Sequence, residues 1–194
     1  MNSILFKYMT TYTSLSEEEQ QEISDSILIK EYKKGSLLVR QGDVSSKCYF
    51  VLKGCVRQYS IDESGREITS NFYTEEQAIA TFNHHKQDQS SKYDFVCTED
   101  CILVVGDLDT EKRMYKKYNQ LEAMTRKMME ISFSEVQDEF ASFINSTPEE
   151  RYKALMMKRP HLLDRVPQHQ LASYLGITPE SFSRIKKRMQ RNRT

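Results

Sequence analysis

No stretch of this chain approaches the roughly 20 consecutive apolar residues that a membrane-spanning helix requires, so a helical membrane protein is not expected. The opening residues, MNSILFKYMTTYTSLSEEE, lack the apolar core of a secretory signal and turn acidic quickly, which points to a cytoplasmic protein with no membrane partner. Cysteine is scarce. Cys48, Cys55, Cys97 and Cys101 form no C-x-x-C pair, and without an export signal they read as reduced core residues rather than disulfides. The ligand spacings of a zinc or iron–sulfur site are missing, so no metal is expected. Histidine is as scarce, with four in the chain. Neither a Ser-His-Asp nor a Cys-His constellation can be assembled from them, and the chain is read as a non-enzyme. Net charge is also absent, with 28 Lys/Arg against 28 Asp/Glu. That zero hides an asymmetry. From Thr147 to Thr194 there are 11 Lys/Arg against 4 Asp/Glu, whereas the rest carries 17 against 24. Such a split suggests that one end alone approaches a polyanion.

The chain does have enough apolar surface for a core, with 38% hydrophobic and 29% charged residues over 194 positions. It divides into three stretches, 1–107, 108–145 and 146–194. Residues 1 to about 25 look helical, and Ser16 followed by Glu19 is a capping-box start. From about 27 to 105, short strand-like runs follow one another: SLLVRQ, CYFVL, CVRQYSI, EITSNFY, KYDFVC and CILVV. Turn residues separate them at Lys34-Gly35, Gly42-Asp43, Lys53-Gly54 and Asp62-Glu63-Ser64-Gly65. The spacing predicts a jelly roll, or double-stranded β-helix, and leaves no room for βαβ crossovers.

Neither glycine nor proline occurs between Asp107 and Thr147, and the apolar period there becomes helical. Leu121, Met124, Met128 and Ile131 make one stripe; Met129, Phe133, Val136, Phe140 and Phe143 make a second. A helix of about 30 residues is about 45 Å long. A small β domain cannot cover two stripes over that length. One stripe is expected against the β domain and the other against a second copy of the chain, with Leu121, Met124, Met128, Ile131 and Phe133 as dimerisation residues. Packing entirely within one chain is the alternative.

Thr147-Pro148-Glu149-Glu150 caps a further helix. Then comes LASYLGITPESFSRIKKR, residues 171–188. Leu171, Ala172 and Leu175 form the inner face of one helix, and Gly176 takes the left-handed C-cap. Thr178 caps a second helix, Pro179 opens it, and Phe182 and Ile185 face inward. This register predicts a helix-turn-helix. Glu180, Ser181, Ser183, Arg184, Lys187 and Arg188 remain outside. A Glu accepts from cytosine N4 and an Arg bonds guanine O6 and N7. Lys186, Lys187, Arg188, Arg191 and Arg193 suit phosphates. The competing view is that Glu180 merely complements the helix dipole and pairs with Arg184.

With these parts in order, the chain resembles the family of the cyclic-AMP receptor protein and the fumarate–nitrate regulator (Crp/Fnr) over nearly its whole length. KGSLLVRQGD with CYFVLKGCVR is similar to the opening of the family's cyclic-nucleotide-binding β-roll, and LASYLGITPESFSRIKKR to its helix-turn-helix. The resemblance implies an α+β protein: a β-roll, a long dimerisation helix and an all-α DNA-binding end. It implies a homodimeric transcription regulator on a palindromic site of double-stranded DNA, with RNA polymerase as a further partner. Glu180 and Arg184 match the family's base-reading pair; Thr178, Ser181 and Ser183 match phosphate or edge contacts; Gln168 lies near the backbone. Pro179 stands where many relatives carry another base-contacting residue. Six residues after Arg188 cannot build the family's wing hairpin.

The ligand cassette departs further. Ala80-Thr81 falls where a nucleotide-binding member has Gly-Glu, and Ser91-Lys92 where it has Arg-Ser. Without that Arg and Glu a buried cyclic phosphate loses its charge pairing. Lys92 or Lys86 is a poor substitute, because a point ammonium does not reproduce a guanidinium fork. No cofactor is expected, and a cAMP-like ligand is not expected in the usual way. With no cysteine before Cys48, the iron–sulfur sensing branch is excluded, and His84-His85 read as a loop pair rather than a haem ligand. Three alternatives stay open: a regulator that needs a small ligand, a cupin-type metalloenzyme, and a sensor whose helical end binds protein. The second is weakened because adjacent strand residues such as His84 and His85 face opposite sides. The third is separated from DNA binding by its salt slope.

Overall fold

The computed structural model describes residues 3–80 and 90–191. Thr81, the His84-His85 pair, Lys86 and Arg193 lie outside the described residues. Two short helices come first, α1 (Ser3–Tyr12) and α2 (Glu17–Ser26). The Ser16–Glu19 capping box between them is formed in both directions. One helix was expected here; the capping box starts a second.

Eight strands follow among the described residues: β1 (Leu28–Tyr32), β2 (Leu37–Val39), β3 (Lys47–Lys53), β4 (Val56–Ile61), β5 (Glu67–Tyr73), β6 (Ala78–Ala80), β7 (Asp94–Cys97) and β8 (Cys101–Asp107). They build two four-stranded sheets, ordered β1-β8-β3-β6 and β2-β7-β4-β5, with antiparallel pairings. This is the expected jelly roll. Alternation sends Tyr49, Val51, Val56, Ile79, Phe95, Cys97, Cys101 and Leu103 into the space between the sheets. The turn after β3 crosses the turn before β8 at Gly54. A Cβ there would sit 2.9 Å from the Asp100 carbonyl oxygen and 2.9 Å from Cys101 Cα, so only glycine fits. The three buried cysteines are free thiols; Cys97 and Cys101 lie inside this roll and Cys55 in the cluster that packs against the last helices, where burial pushes its thiol up to about 11.

The uninterrupted helix expected from 108 to 145 is two helices, α3 (Leu108–Lys117) and α4 (Asn119–Asn145). The break is at Tyr118, with φ −130° and ψ 86°. Its ring is buried in a small core with Met9, Leu15, Ile23 and Leu121, and its hydroxyl donates to Glu22 at 2.5 Å. Burial of that ring, rather than a glycine or proline, turns the chain. The start of the first apolar stripe therefore packs on α1 and α2 rather than on the β-roll, while its end, Ile131, is exposed. Leu121 is buried in its own chain and Met124 packs against the same core. Beyond Met128 the helix, about 40 Å long in all, carries exposed Met129, Ile131, Phe133, Val136, Phe140 and Ile144. Leu121 is thus removed from the face available to a second copy.

Four more helices follow among the described residues: α5 (Pro148–Lys158), the single turn α6 (Leu162–Arg165), α7 (Gln168–Tyr174) and α8 (Pro179–Arg191). Thr147 and Glu150 close the second capping box. No described helix is long and apolar enough to cross a membrane.

Candidate nucleic-acid interface

The α7–turn–α8 unit is held by its apolar side. Leu171, Ala172, Leu175, Phe182 and Ile185 are buried with Tyr152, Leu155, Leu162 and Val166 in one cluster. At the turn the chain forms a Schellman motif: Gly176 N–H donates to Ser173 O and Ile177 N–H to Ala172 O, each at 3.0 Å. Gly176 sits at φ 67°, the left-handed region that favours glycine. Thr178 Oγ1 then accepts from Ser181 N–H at 3.2 Å and caps α8.

That docking turns a polar face outward. Gln168, Thr178, Glu180, Arg184, Lys187 and Arg188 are exposed, and Ser181 and Ser183 half-buried. Glu180 is held below its ordinary value by its own backbone N–H and by the Thr178 hydroxyl; the Arg184 charge adds least. Arg184 turns instead to Ser181, donating from Nη2 to Oγ at 3.1 Å. The Glu180–Arg184 pairing of the competing view is therefore not the main tie of either residue. Lys187 is open to solvent, whereas Arg188 pairs with Glu149 of α5. Only Nη2 of Arg188 is engaged by that pair, a tie that no local sequence pattern signals.

A sequence model described as a cyclic nucleotide-binding domain matches residues 29–118, the β-roll and α3. Along most of its length the chain is similar to the anaerobic regulatory protein of Haemophilus influenzae, 23% identical over 190 residues, covering 92% of this chain and 73% of that one. It is also similar to the nitrogen fixation regulation protein FixK of Rhizobium meliloti, 25% identical over 162 residues, covering 81% and 73%. In fold it is similar to FixK2 from Bradyrhizobium japonicum, with TM-score 0.69 and 16% identity over 86% of this chain and 85% of that one. A Crp/Fnr regulator from Eubacterium rectale gives 0.66 and 18% over 96% and 88%. The chain is thus similar along most of its length to regulators of the Crp/Fnr family. By their printed names these relatives are regulatory proteins.

The described residues of the ligand cassette, Ala80, Ser91 and Lys92, do not by themselves make a phosphate site. Ala80 is exposed at the end of β6. Ser91 is buried, but its hydroxyl already donates to Tyr93 O at 2.7 Å and accepts from Tyr93 N–H at 3.2 Å. Lys92 faces solvent. Arg57, also in the roll, is buried, and its guanidinium is engaged by Glu67 at 2.5 Å and by Thr69 at 2.8 and 2.9 Å. The described residues of the cassette thus offer no buried, unpaired cation to a cyclic phosphate, and these residues do not fit a bound cyclic nucleotide.

Sequence reasoning missed the tie between head and roll. Ser173 of α7 lies on the edge of β5: its hydroxyl accepts from Thr69 N–H at 2.9 Å and donates to Glu67 O at 3.2 Å. Tyr174 meets Phe72 edge-on, with centroids 5.5 Å apart. Arg165 forks onto Glu75 with two bonds of 2.9 Å and onto Glu99 at 2.5 and 3.1 Å. A Ser inside a helix and a lone Arg carry no pattern that signals such contacts.

This clamp predicts an acid response. Burial would raise the Glu75 carboxyl, but the Arg165 fork and the Gly54 N–H outweigh it and hold it at about 2 instead of 4.5. A carboxyl lowered on folding adds stability that is complete above its unfolded value and lost as pH falls through the folded one. Between pH 4.5 and about 2, the melting temperature of the protein is expected to fall more steeply than that of Arg165→Met. Parallel curves would show that Glu75 does not hold the head.

Proposed function

We propose that this chain is a transcription regulator of the Crp/Fnr type that acts as a homodimer on palindromic DNA, one α8 entering the major groove of each half-site. Arg184 reads a guanine, Glu180 a cytosine, and Lys187 a phosphate. The observation that carries the reading is the division of α8. Phe182 and Ile185 are locked into the head, so Glu180, Arg184 and Lys187 must face outward together. The exposed apolar run from Met129 to Ile144 supports a second copy along α4. The paired state of Arg57 and the exposure of Lys92 support a β-roll that does not bind cyclic AMP in the usual way.

Two measurements test this. Purified protein is incubated with fragmented genomic DNA, with and without cyclic AMP. Enrichment of one palindrome in both is expected; enrichment only with cyclic AMP would reverse the ligand part, and no palindrome in either would remove the DNA part. On the selected site, Arg184→Ala is expected to cost about 1–3 kcal/mol at one base pair per half-site and to relax preference there. Lys187→Ala should weaken all sequences alike and lower the salt slope by about 1. Equal losses on every sequence for Arg184→Ala would refute its assignment.

A further inference from the structure

The head is joined to α4 covalently by two extended residues, Ser146 and Thr147, at ψ 141° and 160°. One side chain spans that joint. Arg151, on the first turns of α5, donates from Nε to Phe143 O at 3.2 Å and from Nη1 to Leu175 O at 3.1 Å. Both acceptors are carbonyls at helix C-termini. Phe143 is in the last turn of α4, and Leu175 is the C-cap of α7. Such carbonyls have no i+4 N–H partner and carry the negative end of the helix dipole; Phe143 O also accepts the Ser146 N–H at 3.3 Å. The Schellman turn of α7 uses the carbonyls of Ala172 and Ser173 and leaves that of Leu175 for Arg151.

The same guanidinium stacks on the Phe143 ring, its carbon 3.8 Å from the centroid. The turn glycine is fitted around it. A Cβ on Gly176 would lie 3.2 Å from Arg151 Nη1 and 3.6 Å from the Phe143 ring. Gly176 is therefore constrained both by its positive φ and by the approach of the arginine.

We propose that Arg151 is a positioning residue that fixes the angle between α4 and the helix-turn-helix, and thereby the spacing of half-sites the dimer accepts. This rests on the dimeric reading above. The physical argument is one of geometry. If two copies meet along the outer half of α4, each head is placed relative to the dimer axis through the end of that helix. A planar, permanently charged fork that holds the last turn of α4 and the turn before α8 transmits the axis to the reading face. The Arg165 clamp and the Ser173 bonds tie the head to the β-roll and do not touch α4. Two binding heads gain from each other only when their separation matches that of the sites. Half-sites one helical turn apart are about 34–36 Å from centre to centre.

The test uses the full chain, the palindrome selected by the wild type, and versions of it with the spacer lengthened or shortened by one base pair. Arg151→Met removes both donors; Arg151→Lys keeps the charge but can reach one carbonyl at a time. Both variants are expected to sediment as the wild type does and to bind an isolated half-site equally well. On the selected palindrome they should lose roughly ten- to hundredfold in affinity, with discrimination between spacers reduced toward none. An unchanged spacer profile in both variants would overturn the proposal. Equal losses on half-site and palindrome would overturn it too, since Arg151 would then only stabilise the head. A wild type that selects no palindrome would instead remove the dimeric reading, and this inference with it.

Discussion

Phe133→Glu is expected to give a monomer in solution and to weaken palindrome binding by about two to four orders of magnitude, although Phe133 touches no DNA. The side chain is 65% exposed in one chain, as is that of Phe140, and Val136 between them is 55% exposed. Seven exposed large apolar residues within sixteen positions of one helix, Met129 to Ile144, are too many for a surface that stays wet. Steps of three and four put Met129, Phe133, Val136 and Phe140 on one face, where a parallel copy of α4 can bury them. A charge at the centre of that face has no partner and must lose its water. A helix-turn-helix of this size covers little DNA. Its affinity for a full site comes mainly from holding two heads at once, and the gain from such linkage is about 10²–10⁴. The check is sedimentation beside binding to palindrome and half-site. A verified monomer with full palindrome affinity would remove the idea. Leu121→Glu is a contrasting case. Leu121 is buried with Met9, Leu15 and Ile23, so that change should unfold the α1–α2 core rather than separate subunits.

Leu121 also marks where the sequence stopped being legible. Its stripe with Met124, Met128 and Ile131 has a clear helical period, and period reveals that a face is apolar without revealing what covers it. The cover of Leu121 and Met124 proved to be α1 and α2, about a hundred residues earlier in the chain. The break at Tyr118 was illegible for a related reason. A buried aromatic with a hydroxyl on Glu22 causes it, and no local breaker residue marks it. Strand β1, Leu28–Tyr32, carries Lys30 and Glu31 and hides its period under charge; it is fixed by pairing with β8. The turns were legible because glycine is nearly obligatory at positive φ, as at Gly35, Gly42, Gly54 and Gly65. The helix-turn-helix was legible for the same kind of reason. Its cap, its turn glycine and its inward residues each have a local rule, and the rules agree. Arg151, Arg165 and Ser173 follow no local rule, since each is explained only by what the fold brings beside it.

Phe182→Ala is expected to destabilise the head by about 3–5 kcal/mol, the range for removing a fully buried aromatic. Phe182 is 1% exposed and meets Tyr152 edge-on at 5.3 Å, in a cluster closed by Leu155, Leu162, Val166, Leu171 and Ile185. Deleting the ring leaves a cavity that the surrounding helices can collapse into only in part, so the loss exceeds the transfer of the ring alone. Cys55 and Phe72 of the β-roll belong to the same cluster, which makes loosening of the head felt where α7 lies on β5. Amides of α7 and α8 should therefore exchange faster, together with those of β5, while amides of α1, α2 and the start of α4 keep their protection. Operator binding should be lost with dimerisation retained. Arg184→Ala, two residues along the same helix, should do the reverse, relaxing sequence preference with no change in exchange. If the two substitutions altered exchange and sequence preference in the same way, α8 would not be divided into a holding face and a reading face. The assignment of Glu180, Arg184 and Lys187 to DNA would then lose its structural basis.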